Sequence, residues 1–206
     1  MTRGSASVVN ISSRKSNTFI ITTEPVSLQE KPAGEESNFS LHPGILVIIF
    51  CTMNIRSAKI SDVEAIYSLI NSYAERDMML FRPLADIYEN LQAFTVAELD
   101  GSVVGCCALQ IIWSDLAEIK SLAVNEANTD KGIGKMLVAA SVEQTRQLGL
   151  PRVFALTLEP AFFEKMGFSV VEKGTLPMKV WSDCAKCPKQ QNCDEIAVIK
   201  DVMREV

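Results

Sequence analysis

The apolar positions of this chain change their period several times after residue 54, and each change marks an element. "SDVEAIYSLINSYAER" (61–76) sets Val63, Ile66, Leu69, Ile70 and Tyr73 on one stripe at helical spacing. Ser61 and Glu64 stand at the separation of a capping box. A short strand "NIRSA" (54–58) precedes this helix, and a second helix, "LADIYENLQA" (84–93), follows the loop "DMMLFRP". The spacing then shortens. "FTVAEL" (94–99), the turn Asp100-Gly101 and "SVVGCCALQII" (102–112) predict a hairpin, and "LAEIKSLAV" (116–124) a third adjacent strand. A long helix runs from about Gly132 to Leu148, with Ile133, Leu137 and Ala140 on one face and Gly149 and Pro151 closing it. Beyond it lie a strand "RVFALTL" (152–158), a short helix "PAFFEKMGF" (160–168), and strands over "SVVEK", "MKVW" and "EIAVIKDV" (195–202).

The order β-α-α-β-β-β-α-β-α-β-β includes a helical crossover between two strands. It predicts an α/β domain with a mixed sheet of about seven strands and about four helices. Strand alternation puts Glu118, Lys120 and Leu122 on one face of 116–124, and Ile119 and Ser121 on the other.

Residues 1–52 differ from the rest. Eight serines fall in the first forty positions, without helical periodicity, before the short apolar run "GILVIIFC" (44–51). That run is too short and too far from the N-terminus for an ordinary signal peptide. The expectation is an N-terminal extension over 1–52, disordered or the product of a misassigned start, and one domain over 53–206. A net charge of −5 argues against a nucleic-acid partner. No apolar stretch reaches the eighteen or so residues of a membrane span. Six cysteines without a secretory signal point to a reduced, cytoplasmic protein, with Cys106 and Cys107 as small core residues.

One corner carries chemistry. In "SLAVNEANTDKGIGKMLVAA" (121–140), a strand gives way to Gly132-Ile133-Gly134 and then to a helix former. The first turn of a helix offers unpaired N–H groups and the positive end of its dipole, and glycine lets a ligand approach the backbone. Phosphate is the usual guest.

The strand "EIKSLAV", the loop "DKGIGK", the helix "MLVAASVEQTRQLG" and the later "FFEKMGF" together resemble the GCN5-related N-acetyltransferases, over Asn54 to about Val202. The resemblance implies that Asp130, Lys131, Gly132, Ile133, Gly134 and Lys135 cradle the pyrophosphate of acetyl-CoA. It also implies a bulged strand that splays from its neighbour, with the acyl chain in the wedge. Leu122, Ala123 and Val124 would flank that chain, and a backbone N–H among them would meet the oxyanion. The family pattern prefers Gln or Arg three residues before the first glycine. Thr129 stands there, leaving Lys131 and Lys135 to supply positive charge. "MLFRPLADIYENLQAFTVAELDGSVVGCCALQI" and the tail "LPMKVWSDCAKCPKQQNCDEIAV" resemble more narrowly the short N-acetylglutamate synthases, which acetylate L-glutamate at the opening of arginine biosynthesis.

Acetyl transfer to an α-amine needs that amine neutral, so a base is useful, and Glu118 is the candidate. Many family members protonate the leaving thiolate with a tyrosine. The matching position here is Phe163, which leaves Phe162 and Phe163 as packing beside the pantetheine. Two substrate carboxylates call for cations, for which Arg82, Lys120 and Lys179 are candidates. The trio Cys184, Cys187 and Cys193 leaves three readings open: a reduced structural loop, redox-sensitive thiols, or a metal site completed by Asp183 or Asp194. The leading expectation is an enzyme that needs acetyl-CoA and no metal. Another amine acceptor and a non-catalytic acetyl-CoA sensor stand as alternatives. Family domains often pair through their last strands, which leaves a homodimer open.

Overall fold

The computed structural model describes residues 18–19, 51–177, 185, 187 and 190–203. The chain divides into two units, residues 1–53 and residues 54–206. In the first, Thr18–Phe19 (β1) pairs antiparallel with Thr52 and Cys51. The strand Cys51–Ser57 (β2) leads into the second unit. The expected strand at "MKVW" lies outside the described residues.

The second unit is a mixed sheet. Counting β2 from its residues 54–57, seven strands run in the order β2-β3-β4-β5-β6-β8-β7. They are β3 (Phe94–Leu99), β4 (Ser102–Trp113), β5 (Leu116–Val124), β6 (Arg152–Thr157), β7 (Ser169–Val171) and β8 (Ile196–Asp201) beside β2. Four α-helices accompany it: α1 (Val63–Ala74), α2 (Leu84–Glu89), α3 (Ile133–Gln147) and α4 (Pro160–Glu164). This is the α/β mixed sheet that the element order predicts. The second helix is shorter than its pattern, because residues 91–93 form a 3-10 turn after Asn90.

The stripe on α1 buries Val63, Ile66, Leu69 and Ile70 against Phe94, Val96, Cys106, Ala108 and Ala123 of the sheet. Burying side chains of this size is worth about 1.5–3 kcal/mol each, so this face supplies much of the fold's driving force. On the opposite face α3 approaches β4 closely. A Cβ at Gly105 would stand 3.2 Å from Ile133 Cγ2 and Leu137 Cδ1.

The start of α1 departs from the expected capping box. Ser61 and Glu64 are both exposed. Asp62 Oδ2 instead accepts the Lys59 N–H at 2.7 Å, while Arg56 grips the same carboxylate at 2.6 and 3.0 Å. Arg56 also donates to Glu98 on β3, Nε at 2.7 Å. A charged acceptor held by a guanidinium outcompetes a serine hydroxyl for the role.

β5 also departs from simple alternation. Its pairing with β4 passes from Cys106↔Ala123 directly to Ala108↔Lys120, so Cys107 faces both Ser121 and Leu122. This is a β-bulge, and Ser121 sits in the left-handed region at φ +54°. The extra residue reverses the parity of the strand. Ala123, not Leu122, continues the face of Glu118 and Lys120, contrary to the alternation expected from the sequence.

Candidate active site

β5 and β6 run parallel for three residue pairs, the last being Glu118↔Phe154. Beyond it β6 continues to pair with β8 as far as Thr157↔Ile196, while β5 turns through its bulge. The strands part, and a cavity of about 1190 Å³ opens between them. Glu118 stands at the fork. It is buried, 9% exposed, and its Oε2 lies 4.0 Å from Lys120 Nζ on the same face. Both side chains line the cavity.

At one end the cavity reaches the glycine corner. Gly132 is the N-cap of α3 at φ +76°, with no side chain capping the helix, and Asp130 precedes it at φ +64°. Left-handed positions on either side of Lys131 lead into a first turn whose N–H groups have no partner within the helix, the arrangement that suits an anion. Asp130, Gly132, Ile133, Gly134 and Lys135 line this end. A Cβ at Gly134 would come 3.3 Å from Phe162 Cζ, so the glycine allows α4 to close on α3. Lys131 is not on the lining; its Nζ donates to Asn128 Oδ1 at 2.8 Å. Nor is Ala123, whose side chain packs in the core against α1. Leu122 and Val124 do line the wall.

Phe162 lines the cavity edge-on to Phe163, whose ring meets Phe168 at a centroid distance of 5.2 Å. Phe163 is buried and brings no hydroxyl to the site.

At the other end stands Arg82, in the loop between α1 and α2. Its Nε donates to Ser121 Oγ at 2.9 Å and its Nη1 to Asp86 Oδ2 at 2.5 Å. The guanidinium is thereby fixed on the bulge of β5, facing the same cavity as Lys120 and Glu118. Lys179, the third expected cation, lies outside the described residues.

Sequence reasoning missed two residues that build this end. Tyr73 read as core, yet its hydroxyl donates to the Val124 carbonyl at 2.7 Å and its ring lines the cavity. Asn71 is buried within the stripe of α1, where a polar residue is itself a signal, and it holds the backbone of Arg82. The tail also contributes: Lys173, Cys187, Cys193 and Glu195 reach the cavity. The sequence signs of this were the cysteine spacing and the resemblance of the tail, in which Lys179 is the candidate cation. Among the described residues no three His, Cys, Asp or Glu side chains gather as metal ligands. No described helix is long and apolar enough to cross a membrane. Cys106 and Cys107 are core residues, and burial pushes the Cys107 thiol up to about 12.

A parallel strand pair that forks beside a bulge, with a glycine-capped helix at the end of the fork, defines an acyltransferase of the GNAT type. The profile of the acetyltransferase (GNAT) family matches residues 61–168. The chain belongs to that family. It is 42% identical over 146 residues to an uncharacterized N-acetyltransferase of Chlorobaculum tepidum, covering 71% of this chain and 94% of that one. It is 41% identical over 139 residues to an amino-acid acetyltransferase of Mycobacterium tuberculosis, covering 66% of this chain and 79% of that one. The fold superposes with a TM-score of 0.68 and 27% identity on an N-acetylglutamate synthase from Neisseria gonorrhoeae solved with coenzyme A and N-acetyl-glutamate. That match covers 74% of this chain but 36% of the longer synthase.

Proposed function

We propose that this acetyltransferase moves the acetyl group of acetyl-CoA onto the α-amino group of L-glutamate. The observation that carries the reading is the meeting of Glu118 with Arg82 and Lys120 on one cavity, where β5 and β6 part. A carboxylate beside two cations suits an amino acid better than a polyamine, which would want acidic walls alone. The naming of similar proteins as amino-acid acetyltransferases supports the class of acceptor.

In this reading the coenzyme's pyrophosphate rests on the N–H groups from Asp130 to Lys135, and its pantetheine passes Phe162 into the fork. The glutamate carboxylates meet Arg82 and Lys120, with Lys179 as a third cation. Glu118, directly or through water, takes a proton from the ammonium, and the freed amine attacks the thioester carbonyl. The oxyanion is met by a backbone N–H of the 122–124 segment. The nitrogen of the tetrahedral intermediate gives up its second proton to solvent, the intermediate collapses as the C–S bond breaks, and coenzyme A leaves as thiolate that solvent protonates, since Phe163 has no proton to give.

The test is thiol release from acetyl-CoA with L-glutamate, L-glutamine, L-aspartate, D-glutamate, spermidine and a lysine peptide as acceptors. Turnover that prefers L-glutamate is the expected result. Preference for another acceptor would keep the cofactor and remove the glutamate reading. Coenzyme binding without any turnover would make the chain a sensor.

A further inference from the structure

Two cysteines that acetyl transfer does not use open onto the same cavity. Cys187 is half-buried and Cys193 exposed, and both are reduced. Lys173 Nζ donates to Cys193 Sγ at 3.1 Å, and Glu195 Oε2 stands 4.0 Å from that sulfur. Lys173 and Glu195 line the cavity as well. An exposed sulfur in contact with both an ammonium and a carboxylate contrasts with Cys106 and Cys107, which are sealed in the core.

From this cluster we infer a thiol–disulfide exchange site at the cavity, with Cys193 as the attacking thiol, Cys187 as the resolving thiol, and a disulfide of the coenzyme A class as its oxidant. Exchange proceeds through the thiolate and a mixed disulfide. Cys193 loses its proton to Glu195 or solvent, and its sulfur attacks one sulfur of coenzyme A disulfide. The S–S bond breaks, Cys193 is joined to one coenzyme A, and the other leaves as thiolate, with Lys173 beside the charge that passes over the sulfur. Cys187 then attacks the mixed disulfide at Cys193, forming Cys187–Cys193 and releasing the second coenzyme A. Two thiols are oxidised to one disulfide, and one disulfide is reduced to two coenzyme A thiols. Five residues separate the two cysteines, so the bridge would close a short loop at the cavity wall. The choice of oxidant, unlike the choice of cysteines, rests on the coenzyme A reading given above.

The test treats the full reduced chain with coenzyme A disulfide, traps remaining thiols by alkylation, and maps the products by mass. The wild type is expected to give Cys187–Cys193 and two coenzyme A per chain. Cys187→Ser is expected to stop at coenzyme A attached to Cys193, and Cys193→Ser to give neither product. Lys173→Met, with its fold checked by circular dichroism, should lose most of the initial rate. Glutathione disulfide, which the cavity has no phosphate contacts to select, should react more slowly. No product at Cys193 with either oxidant, or a bridge to Cys184 instead, would overturn the site. Equal rates with both oxidants would overturn the part given to coenzyme A. Calorimetry with desulfo-coenzyme A separates the two readings: binding without exchange removes the thiol proposal alone, and exchange with glutathione disulfide without binding removes the coenzyme reading alone.

Discussion

Asn71 holds Arg82 by a reciprocal clamp: its Nδ2 donates to the Arg82 carbonyl at 3.0 Å, and its Oδ1 accepts the Arg82 N–H at 3.0 Å. A buried side-chain amide thus does for this loop what a strand partner would do, and the cation it carries is set on the bulge of β5. Asn71→Ala leaves two backbone groups without their partner. It should cost about 1–3 kcal/mol of stability, read by urea unfolding. The KM for the acceptor should rise more than that for acetyl-CoA, because the clamp sits at the acceptor end. Arg82→Ala should show the same asymmetry with little loss of stability.

Glu118→Gln preserves shape and removes the base. An expected fall in kcat of about 100-fold or more follows from the size of general-base effects. Coenzyme A affinity, measured by calorimetry, should stay within experimental error of the wild type. An equal loss in coenzyme binding would mean that the residue holds the fork and does not serve the chemistry.

The network of Arg56, Asp62 and Glu98 predicts a pH dependence of stability. The Arg56 guanidinium, with the Lys59 N–H, holds the Asp62 carboxyl below its ordinary 3.8 against the opposing effect of burial. The folded state therefore favours the ionised form more than the unfolded chain does. The stabilisation is fully present above the ordinary carboxylate value and is lost as pH falls below it through the folded one. Thermal melts of Asp62→Asn should run below the wild type near neutrality and converge with it in acid. Parallel curves down to the acid limb would contradict the assignment.

The two loop glycines should fail for different reasons. Nothing lies within 4 Å of a Cβ at Gly132, whose φ of +76° makes alanine strained there by about 1 kcal/mol. At Gly134 the backbone is ordinary but the Cβ would press on Phe162. Gly132→Ala should therefore lower stability and coenzyme affinity together. Gly134→Ala should weaken coenzyme binding through a displaced ring, and the double variant Gly134→Ala with Phe162→Leu should recover part of the loss.

Element order, strand boundaries and the glycine corner were legible because each rests on local periodicity or on a backbone conformation that few residues adopt. The long helix and the 94–112 hairpin lie within a residue or two of their predicted limits. Three things were not legible. The capping carboxylate of Asp62 depends on Arg56 and, through it, on Glu98, forty-two residues from that arginine. The clamp of Asn71 spans eleven residues across a loop. The face of Leu122 depends on a register slip that only the partner strand reveals. Each is a pairing between side chains or strands that periodicity along the chain does not relate.

The bulge at Ser121 and Leu122 has a wider consequence. A strand of nine residues ordinarily serves each side of a sheet with a fixed set of positions. Here one surplus residue reverses the alternation midway, so that Ala123, three places after Lys120, stays on the face of Glu118 and Lys120 and packs under α1 while those two line the cavity farther along. An insertion or deletion of one residue within 119–123 would put Ala123 on the opposite face from Glu118 and Lys120, so that the core under α1 and the cavity wall could no longer both keep their residues. The length of this segment is therefore under a stricter constraint than the identity of most residues in it.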